Sequence, residues 1–116
     1  MAIYQLIYVS SATETFTREK FLDKAFMMSS DNTKIGITGM LVFKDGNFME
    51  VLEGEESAVK TLFSKIQQDP GHTLVSVIQE GEISTREYPS WAMTFYNPQT
   101  QEYEHVGSPI QWQDKL

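Results

Sequence analysis

Asp45-Gly46 stands between two apolar runs, Met40-Leu41-Val42-Phe43 and the stretch Phe48 to Leu52. An Asp-Gly pair in that setting is a strong hairpin signal, because glycine accepts positive φ without a side-chain clash. The return strand of this hairpin reads Asn47-Phe48-Met49-Glu50-Val51-Leu52-Glu53-Gly54. Alternate residues of a strand face one side, so Phe48, Glu50 and Leu52 share one face and Met49, Val51 and Glu53 the other. Glu50 is therefore a carboxylate set in an otherwise apolar face. Burying it alone costs several kcal/mol or forces it to take a proton. Whatever meets Glu50 decides what the chain can do.

The remaining elements follow from periodicity and turn chemistry. Ile3 to Val9 is rich in β-branched and aromatic residues and reads as a first strand, with Tyr4, Leu6 and Tyr8 on one face. Ser10 to Thr15 is small and polar and reads as a loop. Thr17 can cap a helix carrying Phe21, Leu22, Ala25, Phe26 and Met28, which should end near Asp31-Asn32-Thr33. Gly36 to Phe43 is the second strand, its glycines allowing close backbone approach. Glu55-Glu56-Ser57 opens a second helix with Val59, Leu62, Phe63 and Ile66 on one face. Asp69-Pro70-Gly71-His72 is a turn, Leu74 to Ile78 a fourth strand and Trp91 to Tyr96 a fifth. The order β-α-β-β-α-β plus one strand predicts an α+β ferredoxin-like sandwich with an extra fifth strand and both helices on one face of the sheet. Residues 1–97 are expected to form the domain. Residues 98–116, polar with scattered Tyr103, Ile110 and Trp112, are expected to be a tail that docks on the domain or on a partner.

Composition narrows the function. A net charge of -7 argues against nucleic acid and anionic membrane surfaces. The absence of cysteine removes thiolate metal sites and thiol catalysis. His72 and His105 are far apart and carry no metal-site spacing. No phosphate loop, dinucleotide glycine fingerprint or serine elbow is present, so no enzyme activity is expected. The N-terminus lacks a signal-peptide pattern, and no apolar run reaches the roughly 20 residues of a membrane span, so a cytoplasmic protein is expected.

One constellation stands out. Strands one and three are central neighbours in a ferredoxin-like sheet, so Tyr8 and Glu50 can face each other. If both point toward the helices, Asn32 and Ile66 lie across from them, and Trp91 and Met93 join from the fifth strand. That describes a slot with a few convergent polar groups, as ligand sites often have. The plainer alternative is that Tyr8 donates a hydrogen bond to Glu50 and both fill core.

The residues also resemble a known family. Leu6-Ile7-Tyr8-Val9-Ser10, Asn32 with Gly36-Ile37-Thr38-Gly39, Phe48 to Gly54, Lys65-Ile66 with Asp69 and His72, and Tyr88-Pro89-Ser90-Trp91-Ala92-Met93 are similar, in order and spacing, to the BLUF domain, a blue-light sensor using FAD. The resemblance spans roughly residues 2 to 97. It implies a flavin held between the two helices, FAD in the first place, with FMN or riboflavin as alternatives. Tyr8, Asn32, Glu50, Lys65, Ile66, Asp69 and His72 are then the cofactor-binding residues. Tyr8 resembles the tyrosine that gives an electron and then a proton to the excited flavin, and Asn32 the asparagine that hydrogen-bonds the ring edge. Ile66 would pack on the ring, and Lys65 would meet the phosphates. Tyr8, Glu50, Trp91 and Met93 are the signalling residues, Trp91 and Met93 matching the fifth-strand pair connected with output. A homo-oligomer and an unidentified response protein are the implied partners, with neither nucleic acid nor membrane, because no effector domain follows within the sequence.

The departures from the family pattern matter as much. The family has glutamine where this chain has Glu50. An amide offers two donors and an acceptor, an ionised carboxylate only accepts, and a neutral one offers a single donor. The usual amide switch is therefore not carried over intact. Lys24, Asp31 and Gly71 also differ from the family's usual residues. Two readings result: a photoreceptor signalling through hydrogen-bond rearrangement around the flavin, or a flavin-binding or flavin-free interaction module whose photocycle is altered or lost because of Glu50.

Overall fold

A computed structural model describes residues 2–13 and 17–107. The elements run β1 (Ile3–Ala12), α1 (Arg18–Lys34), β2 (Thr38–Lys44), β3 (Asn47–Gly54), α2 (Glu56–Gln68), β4 (His72–Ile83), β5 (Ala92–Asn97) and β6 (Glu102–Gly107). The sheet order is β4-β1-β3-β2-β5-β6. All neighbours are antiparallel except β2 and β5, which run parallel. The first four strands form the ferredoxin-like core, with both helices on one sheet face.

The hairpin forms at Asp45 and Gly46, which both take positive φ, 53° and 79°. That is the turn whose twist matches the flanking strands. It sets the register of β2 against β3, and β1 pairs on the other side of β3 with Tyr8 directly opposite Glu50. Two apolar clusters cover the helix face. Tyr4, Leu6, Ile37, Leu52 and Trp91 pack with Val59 and Phe63 of α2. Leu41, Phe43, Phe48, Met93 and Phe95 pack with Phe21 and Ala25 of α1. Each helix thus covers its own half of the sheet. On the opposite face Met40, Val51 and Ala92 form a smaller cluster with Ile7, Val42 and Met49 against it.

Several sequence expectations need correction. The described residues contain six strands rather than five, because Glu102–Gly107 pairs along β5 within the stretch read as tail. Its Glu-Tyr-Glu-His pattern offers no apolar face to read. Ile110 and Trp112 lie outside the described residues. β1 continues to Ala12, into the stretch read as a loop, because Ser11 and Ala12 keep partners on β4. β4 starts at His72 and extends to Ile83, so His72 is a strand residue. Gly36 sits in the turn after α1 with φ 77°, ahead of β2. Phe26 is 57% exposed and points away from the core.

Gly39 shows how tightly β2 and β3 meet. A Cβ there would lie 1.7 Å from the Val51 carbonyl oxygen, backbone that cannot yield. Gly39→Ala should therefore destabilise the fold by about 3 kcal/mol or more, as severe overpacking does. Gly36→Ala meets nothing within 4 Å and bears only the left-handed backbone strain, about 1–2 kcal/mol. Denaturant unfolding of the two variants should separate them in that order; equal losses would contradict the close-approach argument.

Candidate functional site

Because each helix covers its own half of the sheet, a gap remains between them. It is a cavity of about 640 Å³. Tyr8, Leu41, Phe48 and Glu50 form its floor, α1 supplies one wall, and Leu62, Lys65 and Ile66 of α2 supply the other. Asp69 and His72 close one end. All seven residues named from the resemblance as cofactor-binding, Tyr8, Asn32, Glu50, Lys65, Ile66, Asp69 and His72, line this one slot.

Asn32 reaches the slot for a simple reason. The buried stripe of α1 runs Phe21, Ala25 and Asn32, with Met28 packed between them, and these positions share one helix face. The stripe is apolar until its last turn, where an amide takes the core position. Asn32 also holds the C-terminal turn, its backbone carbonyl accepting from the N–H groups of Ile35 and Ile37 at 3.1 and 2.9 Å. Its side-chain Nδ2 is buried and has no hydrogen-bond partner among the described residues.

Glu50 is 1% exposed. The Tyr8 hydroxyl donates to Glu50 Oε1, and Oε2 has no partner among the described residues. Burial raises the carboxyl from its ordinary 4.5 to about 7, with the Tyr8 hydrogen bond and then the Lys24 charge pulling the other way. Burial and the neighbouring Glu50 carboxyl push the Tyr8 phenol well above its usual value, so it stays neutral. Tyr8 is held from the other side by the Phe63 ring, 5.4 Å between centroids.

Glu53, three residues on, gives the contrast. It is equally buried, on the opposite sheet face, yet its oxygens accept from Gln5 Nε2 at 2.7 Å and from the backbone N–H groups of Tyr88 at 2.9 Å and Glu87 at 3.2 Å. Arg86 ties the same segment down by donating to Gly36 O, Glu53 O and Thr38 Oγ1. Glu53 is a finished structural contact. Glu50 and Asn32 are unfinished, and both open into the slot. Buried polar atoms without partners cost about 1–3 kcal/mol each, so they mark where a ligand is to be met.

The end of the slot is built by the turn after α2. The Gly71 N–H donates to Asp69 Oδ1 at 2.8 Å and holds the Asp69 carboxyl below its usual value. Lys24 Nζ lies 3.7 Å from Asp69 Oδ2. His72 Nδ1 bonds Ser10 Oγ at 2.8 Å, and its ring, tilted against Phe48, is lowered in pKa by burial and then by Lys24. Lys20, Lys24 and Lys65 all line the slot, three of the chain's nine basic residues in an acidic protein. Asp23, Asp31 and Asp69 line it as well, so the slot carries both signs of charge. Lys20, Asp23 and Met27 were not singled out from sequence; their i, i+3 and i+7 spacing, with Lys24 at i+4, was the available signal.

Trp91 and Met93 are not part of this lining. Both are buried, Trp91 donating from Nε1 to the Ile37 carbonyl at 3.2 Å and Met93 packing beneath α1. They border a separate groove on the far side of α1, with Phe26, Ser29 and Thr33. β2 lies between β5 and β3, which keeps them off the floor.

The fold and slot define a ligand-binding module, an α+β sandwich whose helices part over a polar spot in the sheet. Residues 3–94 match the family model described as "Sensors of blue-light using FAD", and the chain belongs to this BLUF family. It is 38% identical over 93 residues to the photoactivated adenylate cyclase subunit beta of Euglena longa, covering 77% of this chain and 10% of that protein. It is 33% identical over 67 residues to the blue light- and temperature-regulated antirepressor BluF of Escherichia coli (strain K12), covering 58% of this chain and 17% of that one. Among solved structures it resembles the photo-activated state of BlsA, with TM-score 0.74, 27% identity and coverage of 84% and 72% of the two chains. It also resembles the BlrP1 BLUF domain, with TM-score 0.71, 32% identity and coverage of 82% and 64%. The chain spans about a tenth of the cyclase relative's length. Among the described residues no helix is long and apolar enough to cross a membrane.

The raised carboxyl of Glu50 makes stability depend on pH. The folded chain holds this proton more tightly than the unfolded chain. The contribution is therefore fully present below about 4.5 and is lost as pH rises through about 7. Glu50→Gln cannot ionise. Its stability relative to the parent, without ligand, should improve by about 3 kcal/mol between about pH 4 and about pH 8. Denaturant unfolding at the two pH values tests this, and a constant difference would show that Glu50 titrates normally.

Proposed function

We propose that this chain is a blue-light photoreceptor domain that holds a flavin ring in the slot and signals when light rearranges the hydrogen bonds around it. The observation that carries the reading is the pair of unspent buried atoms, Asn32 Nδ2 and Glu50 Oε2, opening into one slot of a family described as using FAD. FAD is the first choice of flavin, the one in the family's description, with FMN and riboflavin as alternatives. Asn32 would meet the ring edge, Ile66 the ring face, and Lys65 the phosphates. Asp69 and His72 would bound the ring at the closed end.

A bound flavin supplies the blue absorption and an excited-state oxidant. Tyr8 is placed to respond: its neutral phenol bonds to Glu50 Oε1, so an electron leaving Tyr8 would make the hydroxyl strongly acidic, and a neutral Glu50 carboxyl would accept that proton at Oε1 while releasing its own from Oε2 toward the ring edge. Asn32 and Glu50 would hold the ring edge beside that bond, and the Phe63 ring, packed on Tyr8, and the buried floor would keep water from it. Output would pass through β5 and the residue before it, where Met93 sits beneath α1 and Trp91 against Ile37, to a second copy of the chain or to a response protein. The cyclase activity in the relatives' names is not carried over to a chain spanning so little of them, and we read this domain as a sensor without turnover. Glu50 favours one second reading, a flavin-binding module with an altered photocycle, because the carboxyl is already bonded to Tyr8.

The loaded protein should be yellow, and blue light should move its flavin band to the red, with reversion in the dark. Tyr8→Phe should bind flavin but lose the red shift. A protein that takes up no flavin sinks the proposal, and one that only bleaches supports the second reading.

A further inference from the structure

We propose that Glu50 meets its ligand as a neutral carboxylic acid, taking one proton from solution as the ligand's ring edge closes the slot. The inference rests on the flavin reading above and concerns how this chain's own carboxyl completes the site. Oε1 is committed as an acceptor to the Tyr8 hydroxyl, which leaves Oε2 to carry a proton or a charge. The Asn32 Nδ2 amide brings two N–H donors in either case. Ionised, Oε2 adds only an acceptor, which suits a ring N–H; protonated, it adds a third donor toward the carbonyl and ring-nitrogen acceptors that outnumber the single N–H on the edge of an oxidised flavin ring.

The surroundings decide between the two forms. From β1 Glu50 faces Tyr8, whose phenol is neutral, and from β4 the slot presents His72, which burial keeps toward its neutral form. From α1 come Lys20, Asp23, Lys24, Asp31 and the amide of Asn32, and from α2 and the turn after it Lys65 and Asp69. Lys24 is the cation that acts on Glu50, and it is shared with Asp69, 3.7 Å away. No side chain among the described residues forms an ion pair with Glu50. An apolar ring laid over the floor expels water from an already buried carboxyl, and further desolvation favours the uncharged form. A proton moves from solvent to Oε2, and the site's charge rises by one on binding. No other group is required to change state.

Isothermal titration of the flavin-free full chain with FAD, in buffers of different ionisation enthalpy, counts the protons taken up. FAD has no group of its own titrating near neutrality. With the free carboxyl at about 7, uptake at about pH 8 should approach one proton and at about pH 6 should be near zero. Affinity should accordingly fall roughly tenfold per pH unit above neutrality. Riboflavin, which lacks phosphates, should give the same uptake, placing the proton at the ring site rather than the lysines. Glu50→Gln should bind FAD with no uptake and a flat pH dependence. An infrared band of a protonated carboxyl should be present in the loaded parent at about pH 8 and absent from the loaded variant. Tight binding without proton uptake at about pH 8, or uptake unchanged in Glu50→Gln, overturns the inference and leaves the flavin reading standing. Failure to bind either FAD or riboflavin overturns both.

Discussion

The hydrogen bond from Tyr8 to Glu50 across the centre of the sheet is the contact on which the rest of the site depends. It exists because the Asp45-Gly46 turn sets β2 against β3, and β1 then pairs so that Tyr8 and Glu50 stand opposite each other. Both residues occupy positions where a strand in a sandwich normally carries apolar side chains. The bond meets one carboxyl oxygen and leaves the other without a partner. A helix could have closed over this spot, but each helix packs on its own half of the sheet and leaves a polar floor between them.

The two buried glutamates of β3 show what separates structure from function here. Glu53 accepts three hydrogen bonds and anchors the segment from Arg86 to Tyr88. Glu50 accepts one, from a residue that is itself part of the slot floor. Identical side chains three residues apart on one strand, and so on opposite faces, therefore do different work. The difference comes from their surroundings, since one face meets a loop that can donate and the other meets a cavity. Asn32 belongs with Glu50, a polar group at the end of an otherwise apolar stripe, its amide unspent.

Much of this was legible in the sequence. The hairpin, the face shared by Phe48, Glu50 and Leu52, and the opposition of Tyr8 and Glu50 follow from a turn signal, a period of two and the usual strand order. Asn32 stood out from its place at the end of the first helix, whereas Lys65, Asp69 and His72 needed the family resemblance to single them out as site residues. His72 reaches the slot through an irregular register of β1 and β4 between Val9 and Ser11, which no local pattern announces. β6 was missed because an edge strand of alternating charged and aromatic residues looks like a polar tail. Trp91 and Met93 were grouped with the slot, whereas the strand order puts β2 between them and Glu50. Short-range chemistry was readable, and which strands end up two places apart was not.

The account's central claim is that one ring system completes the unspent groups of the slot. Side-chain amide and aromatic resonances of the labelled chain, followed by nuclear magnetic resonance as FAD is added, test it most directly. The Asn32 side-chain amide and the Tyr8 and His72 rings should shift together and saturate together, while groups at the edge of the sheet such as Tyr103 stay in place. If FAD instead moved resonances of the groove bordered by Phe26 and Thr33 and left the Asn32 amide unchanged, the slot would not be the flavin site.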